Sequence, residues 1–365
     1  MLLQRAPLLG VLHELPGLGY SCRLIGCLPS AREAAISAPA NGGTNVIQDT
    51  SLSGTNRLFE AARSARRLPH WALALLMGVV FIFGAVLIIQ LLALVLDVLL
   101  PSAMTGAGQE ATLATPTVEG LRISLLLVLG FATVYVFVAL WVRHYEGRSF
   151  RSIGFLPGRA AKKFARGAAL GLLFFAAVVG ILALLGTLAP RPVSAEQVGL
   201  PALGGVLLVG VGFLVQGPAE EVLHRGWILG SVGARYGLAA GVALNCAMFA
   251  LAHILNTGMS VMPAINLLLV AVFLSIYALR EGAIWGVCAW HWMWNWVQGN
   301  LFGLPVSGSE PLGGSLIALE EAGPDLITGG AFGPEGGLVV TLVLLVGIAA
   351  LLLMAKRGAS GRAVR

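Results

Sequence analysis

The stretch WALALLMGVVFIFGAVLIIQLLALVLDVL, residues 71–99, decides the fold. A helix needs roughly 20 apolar residues to cross a hydrocarbon layer of about 30 Å, and this run exceeds that length almost without interruption. Further runs of the same kind cover 121–142, 167–189, 201–229, 238–256, 262–279, 283–302 and 337–355, which makes about eight spans in all. The whole chain agrees with this reading. Of its 365 residues 57% are hydrophobic and 11% charged, whereas a soluble domain carries roughly a quarter charged residues. The expected fold class is therefore an all-α polytopic membrane protein, its transmembrane helices enclosing an intramembrane cavity.

Charge sets the orientation. Lys and Arg near span ends are retained on the cytoplasmic side, and they gather at Arg57, Arg63, Arg66 and Arg67, in the loop from Arg143 to Arg166, and at Lys356, Arg357, Arg362 and Arg365. An even number of spans with both termini cytoplasmic satisfies all three groups, in a plasma or inner membrane. The connection 303–336 holds Glu310, Glu320, Glu321, Asp325 and Glu335 with no Lys or Arg and belongs outside. The formal charge of +6 is thus membrane anchoring, and nucleic acid is not an expected partner; the lipid bilayer is. Residues 1–68 lack the basic, apolar and cleavage-site order of a secretory leader and read as a poorly ordered cytoplasmic extension. The helical domain covers 69–356, and 357–365 is a basic cytoplasmic tail. Cys22, Cys27, Cys246 and Cys288 show no metal-binding spacing.

Ionisable groups at membrane depth are costly and mark function. Three segments hold them: Gly217-Pro218-Ala219-Glu220-Glu221-Val222-Leu223-His224-Arg225-Gly226, Phe249-Ala250-Leu251-Ala252-His253 and His291-Trp292-Met293-Trp294-Asn295. Glu220 precedes the turn at Gly233–Gly237 by about 15 residues and His253 follows it by about 17, so at 1.5 Å per residue both lie roughly 20–25 Å along antiparallel helices. His291 and Asn295 reach a similar depth from the turn at Arg280–Gly282. Glu221 and Arg225, four apart, share a face and read as a buried ion pair pinning helices rather than as catalysts. Glu220 faces elsewhere. A carboxylate with imidazoles in a partly dry site suits water activation and amide hydrolysis: Glu220 as base, His253 orienting water, His291 and Asn295 donating to the oxyanion. Glu220, His253 and His291 equally suit a zinc ion with an open position, and the residues alone leave that choice open. The tryptophans at 285, 290, 292, 294 and 296 read as packing or an interfacial belt, His224 as packing, and Gly226 with Gly230 as a close helix approach.

Glu-Glu-x-x-x-Arg, Phe-x-x-x-His and His-x-x-x-Asn, in this order on separate apolar segments, resemble the CPBP family of intramembrane proteases, which includes CAAX prenyl endopeptidases and bacteriocin-processing relatives. The resemblance covers about 120–302, including Ser152-Ile153-Gly154-Phe155. It implies an intramembrane endopeptidase acting on a membrane-associated peptide or protein, with Glu220 as the general base and His253, His291 and Asn295 in the other motif positions. Glu221 and Arg225 match its remaining acidic and basic positions. His224 departs from the family pattern, which usually has an aromatic residue before the Arg. A non-catalytic immunity or partner-stabilising protein on the same scaffold, or a transporter relaying protons through Glu220, are the competing readings. Neither the serine motif of a rhomboid nor the His-Glu-x-x-His of a site-2-type protease lies within a span.

Overall fold

The computed structural model describes residues 56–99 and 115–360. In chain order the helices are α1 (Arg57–Arg63), α2 (Trp71–Leu99), α3 (Pro116–His144), α4 (Ala160–Leu184), α5 (Leu203–Glu221), α6 (Leu229–Tyr236), α7 (Leu238–Ala252), α8 (Val261–Glu281), α9 (Trp285–Trp296), α10 (Asp325–Thr328) and α11 (Leu338–Ser360). π-helical turns over Val222–Ile228 and Val297–Leu301 extend α5 into α6 and lengthen α9. Two short strands, β1 (Leu188–Pro190) and β2 (Leu319–Glu321), pair antiparallel. The protein is an all-α polytopic membrane fold.

Among the described residues six segments are long and apolar enough to cross a membrane: Trp71–Leu99, Pro116–His144, Ala160–Leu184, Leu200–Tyr236, Val261–Glu281 and Leu338–Ala355. The other two expected spans, 238–256 and 283–302, form shorter helices. α7 ends at Ala252, where the chain turns at His253, and α9 reaches Leu301 only by adding its π turn. The expected extension over 1–68 also needs correction. Residues 1–55 lie outside the described residues, as do 361–365, but Asn56 caps α1 by accepting from the Leu58 amide at 3.0 Å and donates to the Leu279 carbonyl at 2.8 Å. Leu58, Phe59 and Ala62 are buried, so α1 belongs to the packed domain.

Glycines set how closely the helices approach, because without a hydrophobic drive between spans packing relies on small residues. A Cβ on Gly167 of α4 would stand 2.0 Å from the Gly286 carbonyl oxygen of α9, and one on Gly120 of α3 would stand 2.5 Å from Gly205 Cα of α5. Of the pair singled out in the sequence, Gly226 approaches the Ile153 carbonyl, while a Cβ on Gly230 would meet nothing within 4 Å. At the end of α3 Glu146, wholly buried, accepts from Trp227 Nε1 at 2.6 Å and from Arg148 Nε at 2.5 Å, and Arg148 donates to Ser231 Oγ at 2.9 Å. This ties the α3 end to the α5–α6 segment.

The connection after α9 is folded rather than loose. Glu335 accepts from Trp294 Nε1 at 2.9 Å with one oxygen, and from the Ser307 amide at 2.6 Å and hydroxyl at 2.8 Å with the other. Ser307 has a φ of 47°, a conformation few residues other than glycine adopt. The Glu335 clamp and the bond from Asn256 Nδ2 to the Ser307 carbonyl, 2.8 Å, hold it there.

Gly167→Ala should lower the unfolding temperature in detergent by several degrees, because the clash is with backbone that must move; an unchanged midpoint would refute the close α4–α9 approach. Burial pushes the Glu321 carboxyl from 4.5 up to about 7, with both carboxylate oxygens buried without a protein hydrogen-bond partner, and the Asp325 charge adds to the rise. The folded form therefore holds this proton more tightly than the unfolded chain, so its stabilisation is complete below 4.5 and is lost as pH rises to about 7. Amide exchange around β1 and β2, corrected for intrinsic rates, should be slower at acid than at alkaline pH, and Glu321→Gln should flatten the difference.

Candidate active site

Pro218 sits inside α5, and directly after Glu221 the helix passes into its π turn. A proline removes a backbone donor and a π turn re-registers the hydrogen-bond ladder, as happens often at functional sites. The neighbouring Gly217 lets α9 come close: a Cβ there would stand 2.8 Å from the Trp292 amide nitrogen. The acidic residues of α5 are thereby brought within reach of the polar residues of α9.

Behind the site stands the ion pair. Arg225 donates to Glu221 Oε1 at 2.9 Å, with both side chains 0% exposed. His291 Nδ1 lies 2.8 Å from the same oxygen, and since a carboxylate only accepts, Nδ1 carries the hydrogen. The guanidinium also lies over the Phe249 ring, 4.5 Å from its centroid, a cation–π contact strengthened by desolvation. The Phe249 ring packs against His224 at 5.1 Å, His253 at 4.9 Å and His291 at 6.2 Å between centroids. One aromatic ring thus spaces three imidazoles and a cation.

In front of the pair is a cavity of about 470 Å³, within the size range of ligand sites. Glu220, His253, His291 and Asn295 all line it. Glu221 and Arg225 do not. Its far wall is apolar, with Ile82, Ile89, Phe131 and Val134 from α2 and α3, and residues 306–312 of the folded connection border its other side. Gln216, not singled out in the sequence, completes the polar set: it donates to Glu220 Oε1 at 2.5 Å and accepts from Asn295 Nδ2 at 3.0 Å. Its place four residues before Glu220, on the same helix face, was the available signal. Asn295 therefore acts first through Gln216, holding one carboxylate oxygen of Glu220.

The other oxygen, Glu220 Oε2, is buried without a protein hydrogen-bond partner and lies 3.9 Å from His291 Nε2. One water fits that span, within hydrogen-bond reach of both. His253 holds its Nδ1 against the Phe249 carbonyl at 2.8 Å, which leaves Nε2 as the free ring nitrogen. Among the described residues no three His, Cys, Asp or Glu side chains stand close enough together to hold a metal ion; Glu220, His253 and His291 share a cavity without forming such a group.

The tryptophans of α9 are packing anchors. Trp292 Nε1 donates to the Gly210 carbonyl at 2.9 Å and Trp296 Nε1 to the Val206 carbonyl at 2.8 Å, both on α5. Trp285 Nε1 reaches the Leu156 carbonyl at 3.0 Å.

Residues 202–297 match the family described as type II CAAX prenyl endopeptidase Rce1-like. That stretch contains every polar residue of the cavity just named from α5, α7 and α9. No curated protein and no solved structure matches the chain.

Arg225→Ala would leave Glu221 buried and uncompensated, and should cost about 3–5 kcal/mol of stability. Arg225→Met combined with Glu221→Gln should recover most of it, since glutamine still accepts from His291. Unfolding midpoints in detergent test both, and a double variant no more stable than the single one would show that the pair is not the source of the loss.

Proposed function

From the match of residues 202–297 to the type II CAAX prenyl endopeptidase Rce1-like family, we propose that this chain is an intramembrane protease of the CPBP type, an endopeptidase whose nucleophile is a water activated by Glu220. The observation that carries the reading is the unpartnered Glu220 Oε2, 3.9 Å from His291 Nε2 on the wall of the cavity. A water between them donates to the carboxylate and is oriented by the imidazole. Glu220 takes its proton as the oxygen attacks the scissile carbonyl, and the same carboxyl passes that proton to the departing amine as the C–N bond breaks. The products are a new carboxylate and a new amino terminus, with water consumed.

Each supporting residue has a stated task. Gln216 and Asn295 fix Glu220 through Oε1, and the second amide hydrogen of Asn295 is an uncommitted donor for the oxyanion. Glu221 and Arg225 orient His291 through Nδ1. His253 closes the α7 side of the cavity, its ring held through Nδ1 against the Phe249 carbonyl. In this reading every step runs on water and the chain's own side chains, with Glu220, His253 and His291 sharing one cavity.

The apolar wall from α2 and α3 supports a substrate that arrives from the lipid: an apolar segment or lipid-bearing end of a membrane-associated protein or peptide. The positive residues at Arg66, Arg67 and Arg143 support a cytoplasmic placement of the α1 end, and with it of the α11 end.

New protein N-termini should be compared by mass spectrometry in membranes of cells carrying wild type or Glu220→Gln at matched levels. Cleavages present with wild type should vanish with the variant and persist in isolated membranes after metal chelation. Identical profiles would sink the protease reading in favour of a non-catalytic membrane protein that stabilises a partner; loss on chelation would bring a metal into the mechanism.

A further inference from the structure

His224 reads in the sequence as packing, and its surroundings add an unmet polar atom to that reading. Its Nδ1 lies 2.9 Å from the Glu220 carbonyl oxygen one turn back. A carbonyl only accepts, so Nδ1 carries the hydrogen and Nε2 is a bare lone pair. The residue is 1% exposed, it lines the same cavity as Glu220, and Nε2 has no hydrogen-bond partner. A side chain serving only to fill space would not be an imidazole, since a buried acceptor left unmet costs stability that an aromatic hydrocarbon of the same shape would not. Phe249 edges one side of the ring and offers it no hydrogen bond.

His224 Nε2 therefore lacks a donor, and a bound peptide brings donors. In the hydrocarbon layer no bulk water meets a substrate's backbone N–H groups, so a protein that unwinds a peptide there must supply acceptors itself. Glu220 Oε2 and His291 Nε2 face one another across a span that fits the water. His224 Nε2 is a further acceptor, buried without a partner and on the same wall as the base. Resting on the protease reading, we propose that His224 is a substrate-binding residue, accepting a hydrogen bond from a backbone N–H of the peptide beside the scissile bond. The substrate implied is one whose backbone is extended at that point, with its N–H free to leave a helix ladder.

The test has one arm that needs no substrate and one that does. His224→Phe removes the orphaned acceptor and keeps the ring, so the empty protein should unfold in detergent several degrees higher than wild type. A lower midpoint would mean that Nε2 is met in the empty protein and would overturn the proposal. In the second arm, a synthetic peptide spanning a cleavage that vanishes with Glu220→Gln is assayed in detergent. His224→Phe should raise KM about tenfold with kcat little changed, and His224→Gln, whose amide oxygen can accept in the same place, should recover most of the loss. Replacing the amide beside the scissile bond by an ester should cost wild type a similar factor and His224→Phe almost nothing. Equal KM values for wild type and His224→Phe would overturn the proposal with the protease reading intact. If Glu220→Gln abolishes no cleavage, the protease reading itself fails, and this proposal fails with it.

Discussion

Every arrangement around the cavity depends on neutralising Glu221. A carboxylate wholly removed from water inside a membrane domain is tolerable only with a close partner and further hydrogen bonds. Glu221 has both, in Arg225 at 2.9 Å and His291 Nδ1 at 2.8 Å on the same oxygen. The demand is met by residues on two helices, so satisfying one charge fixes the separation and rotation of α5 against α9. Charge burial, costly in itself, here sets the geometry of the front of the site.

Close approach makes that solution reachable. The missing side chain at Gly217 lets the α9 backbone come down onto α5, and Trp292 and Trp296 hold it there through carbonyls at Gly210 and Val206. Past Glu221 the π turn carries His224 and Arg225 to different surroundings, one lining the cavity and the other beneath Phe249. Adjacent residues in the chain thus serve the front and the back of the same site. The clamp of Glu335 on Ser307 adds the outer border, tying a folded connection to α9 by way of Trp294.

Much of this was legible in the sequence, and the gaps have physical causes. Apolar length gave six of the spans closely, because hydrophobic thickness is a one-dimensional requirement. It failed for 238–256, where composition stays apolar past Ala252 although the helix ends, and for 56–63, where amphipathic α1 packs onto the domain yet reads as polar tail. The depth argument placed Glu220, His253, His291 and Asn295 on one cavity, since helical rise converts residue counts into height. The Glu221–Arg225 pair followed from spacing. Gln216 was overlooked because a neutral amide raises no alarm at membrane depth, though it decides which oxygen of Glu220 is free. The attachment of Glu335 to Ser307 and Trp294 joins segments distant in the chain, and no local pattern announces it. At His224 the imidazole is visible in the sequence, whereas the absence of a hydrogen-bond partner for its Nε2 is not.

The early end of α7 has a consequence for the surrounding lipid. Fifteen residues make a helix of roughly 22 Å, short of a hydrocarbon layer of about 30 Å, and His253 stands at its end. Acyl chains beside α7 must shorten or tilt to match it, at a cost that grows with each ångström of mismatch. The depth of His253 below the headgroups is accordingly a property of the protein and its bilayer together, and membranes of different thickness present the same chain with cavities at different distances from water.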